Sequence, residues 1–285
     1  MADSSWILTA SCPSQLGTVD AVTGFLYQNE HYIEELHSFD DKQSKHFFIR
    51  ACFSTNSHFD QNTFRQRFSP RAEKFEMQWE LQPSDHKPRV VILVSKFDHC
   101  LNDLLYKNKI GQLNIDIPAI ISNHPDLKAL ADWHQIPYYH LPITPQSKPQ
   151  QEQQLWQIIR DSKADLVVLA RYMQVLSDEL SQKLEGWAIN IHHSLLPGFK
   201  GAKPYHQAYE KGVKTVGATA HYINADLDEG PIIAQGIEPV DHTYYPEDLI
   251  AKGRDIERIT LSRAVKYHIE KRVFLNGNRT VVFKE

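Results

Sequence analysis

Cysteine is scarce in this chain: Cys12, Cys52 and Cys100 are the three thiols among 285 residues, and none lies near another. Isolated thiols build no disulfide framework and fit a reducing compartment, so a cytoplasmic setting is expected. Long hydrophobic runs are missing as well. No apolar stretch approaches the roughly 20 residues that cross a bilayer, and the first ten residues lack the basic-then-apolar layout of a secretory leader. Neither charge sign dominates: the formal net charge of −4 leaves no basic footprint for nucleic acid. Membranes and nucleic acids are therefore not expected as partners. What is present is 41% apolar and 23% charged residues, the balance of a globular protein, in a chain long enough for two domains.

Residues 6–82 read as strand, helix, strand, strand, helix, strand. "WILTA" is a short apolar strand, and "AVTGFLYQN" carries Val22, Phe25 and Leu26 at helical spacing. "YIEELHSF" and "KHFFIRACF" form two strands around the polar hairpin loop "DDKQSK". "TFRQRFSPRAEKF" is an amphipathic helix that Pro70 is expected to break or kink, and "EMQWELQ" closes the unit. This βαββαβ order defines a ferredoxin-like α+β sandwich. The polar, proline-bounded "PSDHKP" marks a boundary, giving domains over 1–83 and 89–285 with a linker over 84–88.

Beyond the boundary the pattern changes. "RVVILVS" is a continuous apolar run, as a strand buried on both faces requires, and strand and helix then alternate as far as "WAINIHH". That alternation implies an α/β, Rossmann-like domain with a mainly parallel sheet. "TVGATAHYI" and "PIIAQGIEPV" are expected to pair antiparallel around "NADLDEG". A helix from about Glu247 to Val273 carries Leu261, Val265, Ile269 and Val273 on one stripe.

The stretch "INIHHSLLPGFKGAKPYHQAYEKG", 189–212, ends an apolar strand in polar residues and continues through a loop with two glycines and two prolines. Strand alternation puts Asn190 and His192 on one face, and Ile189, Ile191 and His193 on the other. An amide and an imidazole at the carboxyl end of a parallel strand can converge on one small group, as a developing oxyanion requires. Asp226, Asp228 and Glu229 in the following turn are candidates to activate or position water. Periodicity alone leaves two alternatives open: a solvated strand end, and ordinary acidic turn formers.

Residues 189–235 closely resemble the formyltransferase-domain signature. Its Asn-x-His, Ser-Leu-Leu-Pro and Asp-x-Gly-Pro segments correspond to Asn190 and His192, Ser194 to Pro197, and Asp228, Gly230 and Pro231. The resemblance covers about 88–285. With the ferredoxin-like unit in front, the chain resembles the formyltetrahydrofolate deformylases, whose first domain is of the ACT type. The resemblance implies hydrolysis of 10-formyltetrahydrofolate without a cofactor or metal, releasing formate for purine synthesis and balancing the one-carbon folate pool. It implies that Asn190 and His192 stabilise charge on the formyl group and that Asp228 positions or deprotonates the nucleophile. It also implies that Arg171, Tyr172, Met173, Gln174, Val175 and Leu176, in "LARYMQVLS", line a folate pocket. ACT domains often bind amino acids at dimer contacts, so a homo-oligomer and an amino-acid effector are implied. Here, however, "CPSQLG" offers only Gly17 of the usual Asp-Arg-Pro-Gly, and "NEHYI" replaces a glycine-asparagine, which weakens the effector expectation.

Relatives that formylate glycinamide ribonucleotide carry a Gly-x-Gly-Ser-Asn loop after the first strand, whose N–H groups cradle a phosphate. This chain has Ser95, Lys96, Phe97 and Asp98 there. Asp98 would repel a phosphate and Phe97 is expected to fill the vacated space, which makes water the expected nucleophile. Transfer to an amine and a catalytically idle folate or amino-acid sensor are the alternatives. Asp98, His99 and Cys100 are all ligand types, but consecutive residues rarely face one centre, and no HExxH or CxxC accompanies them. His193 and His206 are expected to be packing or loop residues.

Overall fold

In the computed structural model, which describes residues 4–57, 59–198 and 204–284, the chain divides into two compact units. One comprises Met1–His86 with Glu270–Asn276 and Val281–Glu285, and the other Lys87–Ile269 with Gly277–Thr280.

The first unit contains β1 (Ser4–Pro13), α1 (Thr18–Gln28), β2 (Tyr32–Asp41), β3 (His46–Thr55), α2 (Gln61–Lys74) and β4 (Gln78–Pro83). The strands form a four-stranded antiparallel sheet in the order β2-β3-β1-β4. Leu8 and Ala10 of β1 and Phe47, Ile49, Ala51 and Phe53 of β3 bury one face against Val22, Phe25 and Leu26 of α1 and Phe64 and Phe68 of α2. α2 runs through Pro70 rather than breaking there. Proline removes one N–H donor, but Phe64, Phe68 and Ala72 are buried on both sides of it and hold the helix to the core.

The opposite face of that sheet is covered by residues expected in the second domain. β12 (Val273–Asn276) and β13 (Arg279–Val282) form a hairpin that turns at Gly277, whose φ of +60° suits the Asn-Gly turn. Phe48 and Arg50 alternate with the core residues of β3 and meet this segment. The rings of Phe48 and Phe274 lie 5.6 Å apart, and Arg50 Nε donates to the Glu270 carbonyl at 3.0 Å. Glu35 on β2 accepts from Arg50 at 2.8 Å and from Arg272 at 3.0 Å. The expected boundary of 89–285 therefore differs from the structure at its end. The last long helix stops at Ile269, Lys271 takes a left-handed φ of +55°, and Val273 begins a strand instead of ending the helical stripe.

The second unit contains β5 (Arg89–Val94), α3 (His99–Lys109), β6 (Asp116–Ser122), α4 (Lys128–Trp133), β7 (Tyr138–His140), α5 (Lys148–Asp161) and β8 (Leu166–Leu169). α6 (Asp178–Leu184), β9 (Ala188–His192), α7 (Pro204–Glu210), β10 (Thr215–Tyr222), β11 (Ile232–Pro239) and α8 (Pro246–Ile269) follow. Its seven strands run β11-β10-β9-β8-β5-β6-β7. β9 through β7 in that order are parallel, β10 adds antiparallel to β9, and β11 pairs antiparallel with β10, as the sequence pattern predicts. From β5 the chain builds outward through β6 and β7, then returns to start β8 on the other side. The strand order therefore reverses between β5 and β8, and in open sheets a crevice opens at such a point outside the carboxyl ends. The glycine-proline loop expected between Gly198 and Pro204 falls on residues 199–203, outside the described residues. Among the described residues no helix is long and apolar enough to cross a membrane.

Candidate active site

The carboxyl ends of β8 and β9 open onto a cavity of about 530 Å³. Arg171 to Leu176, the six residues expected at a folate pocket, all line it, as do Asn190, His192 and Asp228. Backbone contacts explain the loop's position. Ser95, directly after β5, donates its N–H to the Arg171 carbonyl at 3.2 Å, and its Oγ accepts the Met173 N–H at 2.9 Å while donating to Asn123 Oδ1 at 2.7 Å. The residue read as a lost glycine thus ties the ends of β5, β6 and β8 together. Tyr172 turns inward to Gln151 at 3.0 Å, whereas Met173 and Val175 leave apolar side chains exposed at the cavity.

Asp228 is set by an unusual turn. Its φ is +58°, a left-handed placement that Asp and Asn tolerate better than most residues. Two residues on, a Cβ on Gly230 would stand 1.8 Å from the Tyr222 carbonyl oxygen, so only glycine lets the turn lie against β10. Gly230→Ala should therefore force this backbone apart and cost roughly 1–3 kcal/mol, as overpacking does. Thermal unfolding and kcat measured together check this, and an unchanged variant would contradict the geometry. Of the three acidic candidates, Glu229 is exposed, Asp226 lies at the cavity rim with its side chain exposed, and Asp228 alone is drawn in.

Asp228 Oδ2 lies 3.1 Å from His192 Nδ1. A carboxylate can only accept, so His192 carries a proton on Nδ1. Its other nitrogen, Nε2, is buried and has no hydrogen-bond partner. Asp228 Oδ1 is 3.7 Å from His221 Nε2, and Asn190 Nδ2 approaches that same nitrogen at 3.3 Å. His221 Nδ1 donates to the Tyr222 carbonyl at 2.8 Å, which leaves Nε2 of a neutral ring as an acceptor for the Asn190 amide. The ladder produces this contact, because His221 of β10 stands opposite Asn190 of β9. Burial pushes the Asp228 carboxyl up, but the hydrogen bond from His192 outweighs it and holds the group well below the ordinary carboxylate range.

His193 departs from strand alternation. It follows the last residue of β9, where the chain leaves the ladder, and it lines the same cavity as His192, their ring centroids 5.1 Å apart. Burial, helped by the Arg171 and His192 charges, pushes its pKa down to about 4, so the ring is neutral near pH 7. His206 is exposed on α7.

Phe97 is not among the residues lining the cavity and is 42% exposed, with the guanidinium groups of Arg171 and Arg254 about 5.6 and 5.5 Å from its ring centre. The loop after β5 turns the Phe97 ring towards the two arginines rather than into this cavity. Contrary to the spacing argument, His99 and Cys100 do share a centre. With Glu257 of α8 they bring three ligand-type atoms within 4.8 Å of one another. Both Glu257 oxygens are engaged, Oε2 by His99 Nε2 at 2.8 Å and Oε1 by Tyr205 Oη at 2.8 Å, and Arg171 Nε lies 3.3 Å from Oε2. Burial, with the Glu257 charge, holds the Cys100 thiol well above its usual range, and the guanidinium already supplies the positive charge this carboxylate meets.

The Asn-His-Asp cluster stands at the carboxyl end of a parallel sheet in a formyltransferase-type unit, for residues 88–265 match the family described as formyl transferase. The chain belongs to the formyltetrahydrofolate deformylase family. It is 53% identical over 279 residues to the formyltetrahydrofolate deformylase of Corynebacterium sp. (strain P-1), covering 98% of each chain. It is 65% identical to the crystal structure of a formyltetrahydrofolate deformylase from Pseudomonas putida KT2440, with a TM-score of 0.92 over 98% of this chain and 100% of that one. A glycinamide ribonucleotide transformylase from Symbiobacterium toebii is 29% identical with a TM-score of 0.65, covering 72% of this chain and 98% of its own.

Proposed function

We propose that this chain hydrolyses 10-formyltetrahydrofolate to formate and tetrahydrofolate. The observation that carries the reading is the buried Asp228–His192 pair, which leaves one unpartnered imidazole nitrogen in a cavity open to a folate-sized ligand. The formyl oxygen sits against His192 Nε2 and the Asn190 amide, whose donors strengthen their hold as the carbonyl becomes tetrahedral. A carboxylate held as low as Asp228 is a poor base in the resting enzyme. Negative charge developing on the formyl oxygen draws on the His192 ring, which weakens that ring's hold on Asp228 and raises its basicity when the attacking water must lose its proton. Collapse of the intermediate breaks the C–N10 bond, and N10 leaves with the proton that Asp228 took from the water. His221 holds the Asn190 amide from behind.

On this reading no cofactor or metal takes part, and the formate released supplies purine synthesis while the folate pool is balanced. The first unit is read as an ACT-type, ferredoxin-like domain that pairs copies of the chain into a homo-oligomer. An amino-acid effector is the weaker part of that proposal, given the departures after β1. The deciding experiment incubates the enzyme with 10-formyltetrahydrofolate, with and without glycinamide ribonucleotide, and measures formate and formylated amine. Formate is expected at the same rate in both arms. Formylated product as the main outcome would replace the hydrolase with a transferase.

A further inference from the structure

Arg171 is held where a side chain is normally avoided. Its φ is +66°, in the left-handed region that glycine occupies freely, yet a long charged side chain stands there. That side chain is nearly buried and reaches Glu257, a carboxylate only 1% exposed. The Arg171 Nε–H is not aimed at the oxygen 3.3 Å away, so charge rather than a hydrogen bond holds this contact. Glu257 also accepts from His99 on α3 and Tyr205 on α7, so one carboxylate ties three elements to the residue that begins the cavity loop. Burial pushes the Glu257 carboxyl up, but the His99 hydrogen bond and the Arg171 charge outweigh it and keep it ionised.

We propose that Glu257 is a positioning residue for substrate binding: acting through the Arg171 side chain, it fixes the loop 171–176 in its binding shape. This rests on the reading of the cavity as the folate site. The Arg171 carbonyl is already fixed by the Ser95 N–H, so the peptide is held from the backbone side, and the guanidinium supplies the second point of attachment. With the Met173 N–H held by Ser95 Oγ and the Tyr172 hydroxyl by Gln151, the guanidinium contact is the added restraint that sets the turn at Arg171 from which Met173 and Val175 present their side chains. Removing either charge also leaves the other buried and uncompensated.

The test compares wild type, Arg171→Gly, Glu257→Gln and the double variant as full-length enzyme. Glycine relieves the left-handed placement, and glutamine keeps an oxygen for His99 and Tyr205 to donate to, so each single variant has a route to a folded protein. The expected result is KM for 10-formyltetrahydrofolate and Kd for tetrahydrofolate raised about tenfold in each single variant, with kcat changed by less than about threefold. The double variant should be no worse than the weaker single one, because both substitutions break the same link. Unchanged KM and Kd in Arg171→Gly, or effects that multiply in the double variant, would overturn the inference. A loss of Tm with native KM in both single variants would do the same, since that is a structural role alone. Wild type that fails to bind tetrahydrofolate removes the folate reading itself and the inference with it, whereas wild type that binds no better than its variants removes the inference alone.

Discussion

Asp228→Asn is expected to lower formate release by about 10²–10⁴-fold, the usual contribution of a group that positions or deprotonates a nucleophile. Asparagine is a better probe than alanine because it keeps the size and the tolerance of the left-handed φ of +58°. The variant should fold, with a pH signature that identifies the missing charge. The folded-state pKa of Asp228 is depressed, so its contribution to stability is fully present above the unfolded carboxyl pKa of about 3.9 and is lost as pH falls through the folded value. Wild type should therefore be the more stable protein at neutral pH, and the gap in Tm should close on acidification below about pH 4. Comparable formate release by the variant would take Asp228 out of the mechanism and turn attention to Asp226, a second acidic residue of the same turn at the cavity.

His192→Ala and Asn190→Ala should each reduce kcat by about 10²–10³-fold, the cost of losing one oxyanion donor, with a smaller change in KM. The two differ in what they leave behind. Without His192, Asp228 Oδ2 loses its 3.1 Å partner, so the aspartate should lose part of the depression of its pKa as well as its catalytic context. Without Asn190, His221 loses a 3.3 Å neighbour but keeps its carbonyl contact to Tyr222, so Asp228 is barely disturbed. Steady-state kinetics of the two variants over a pH series check this: the acid limb should move in the His192 variant and stay in place in the Asn190 variant. Equal, small losses at all pH values would mean that neither side chain meets the developing charge.

The parallel sheet was legible because buried strands such as Arg89–Val94 and Leu166–Leu169 are continuous apolar runs, and Asn190 and His192 stood out as polar residues ending such a run. What local pattern could not supply is partnership across the sheet. His221 becomes part of the site through an antiparallel register, and Glu257 meets Arg171 across a large sequence separation. His193 follows the end of β9 as the loop residue expected, and alternation, which stops there, does not fix which way its ring turns. The Asn276-Gly277 turn was a readable hairpin signal, but the stripe Leu261, Val265, Ile269 carried on into Val273 masked it. The ion pairs that bring Arg272 back to Glu35 have no local signature at all.

That return of the chain has a consequence for biosynthesis. Translation delivers β1 to β4 first, with Phe47, Ile49 and Phe53 able to collapse onto their two helices at once. The reverse side of the sheet, with Phe48 and Arg50, receives Phe274 and Glu270 only after Lys87–Ile269 of the second unit have been made. Vectorial synthesis, which ordinarily completes an amino-terminal domain first, here leaves that domain half-dressed until residues 270–276 have been made. Nascent chains stalled within the second unit would carry an open aromatic sheet face, the kind of surface that chaperones hold.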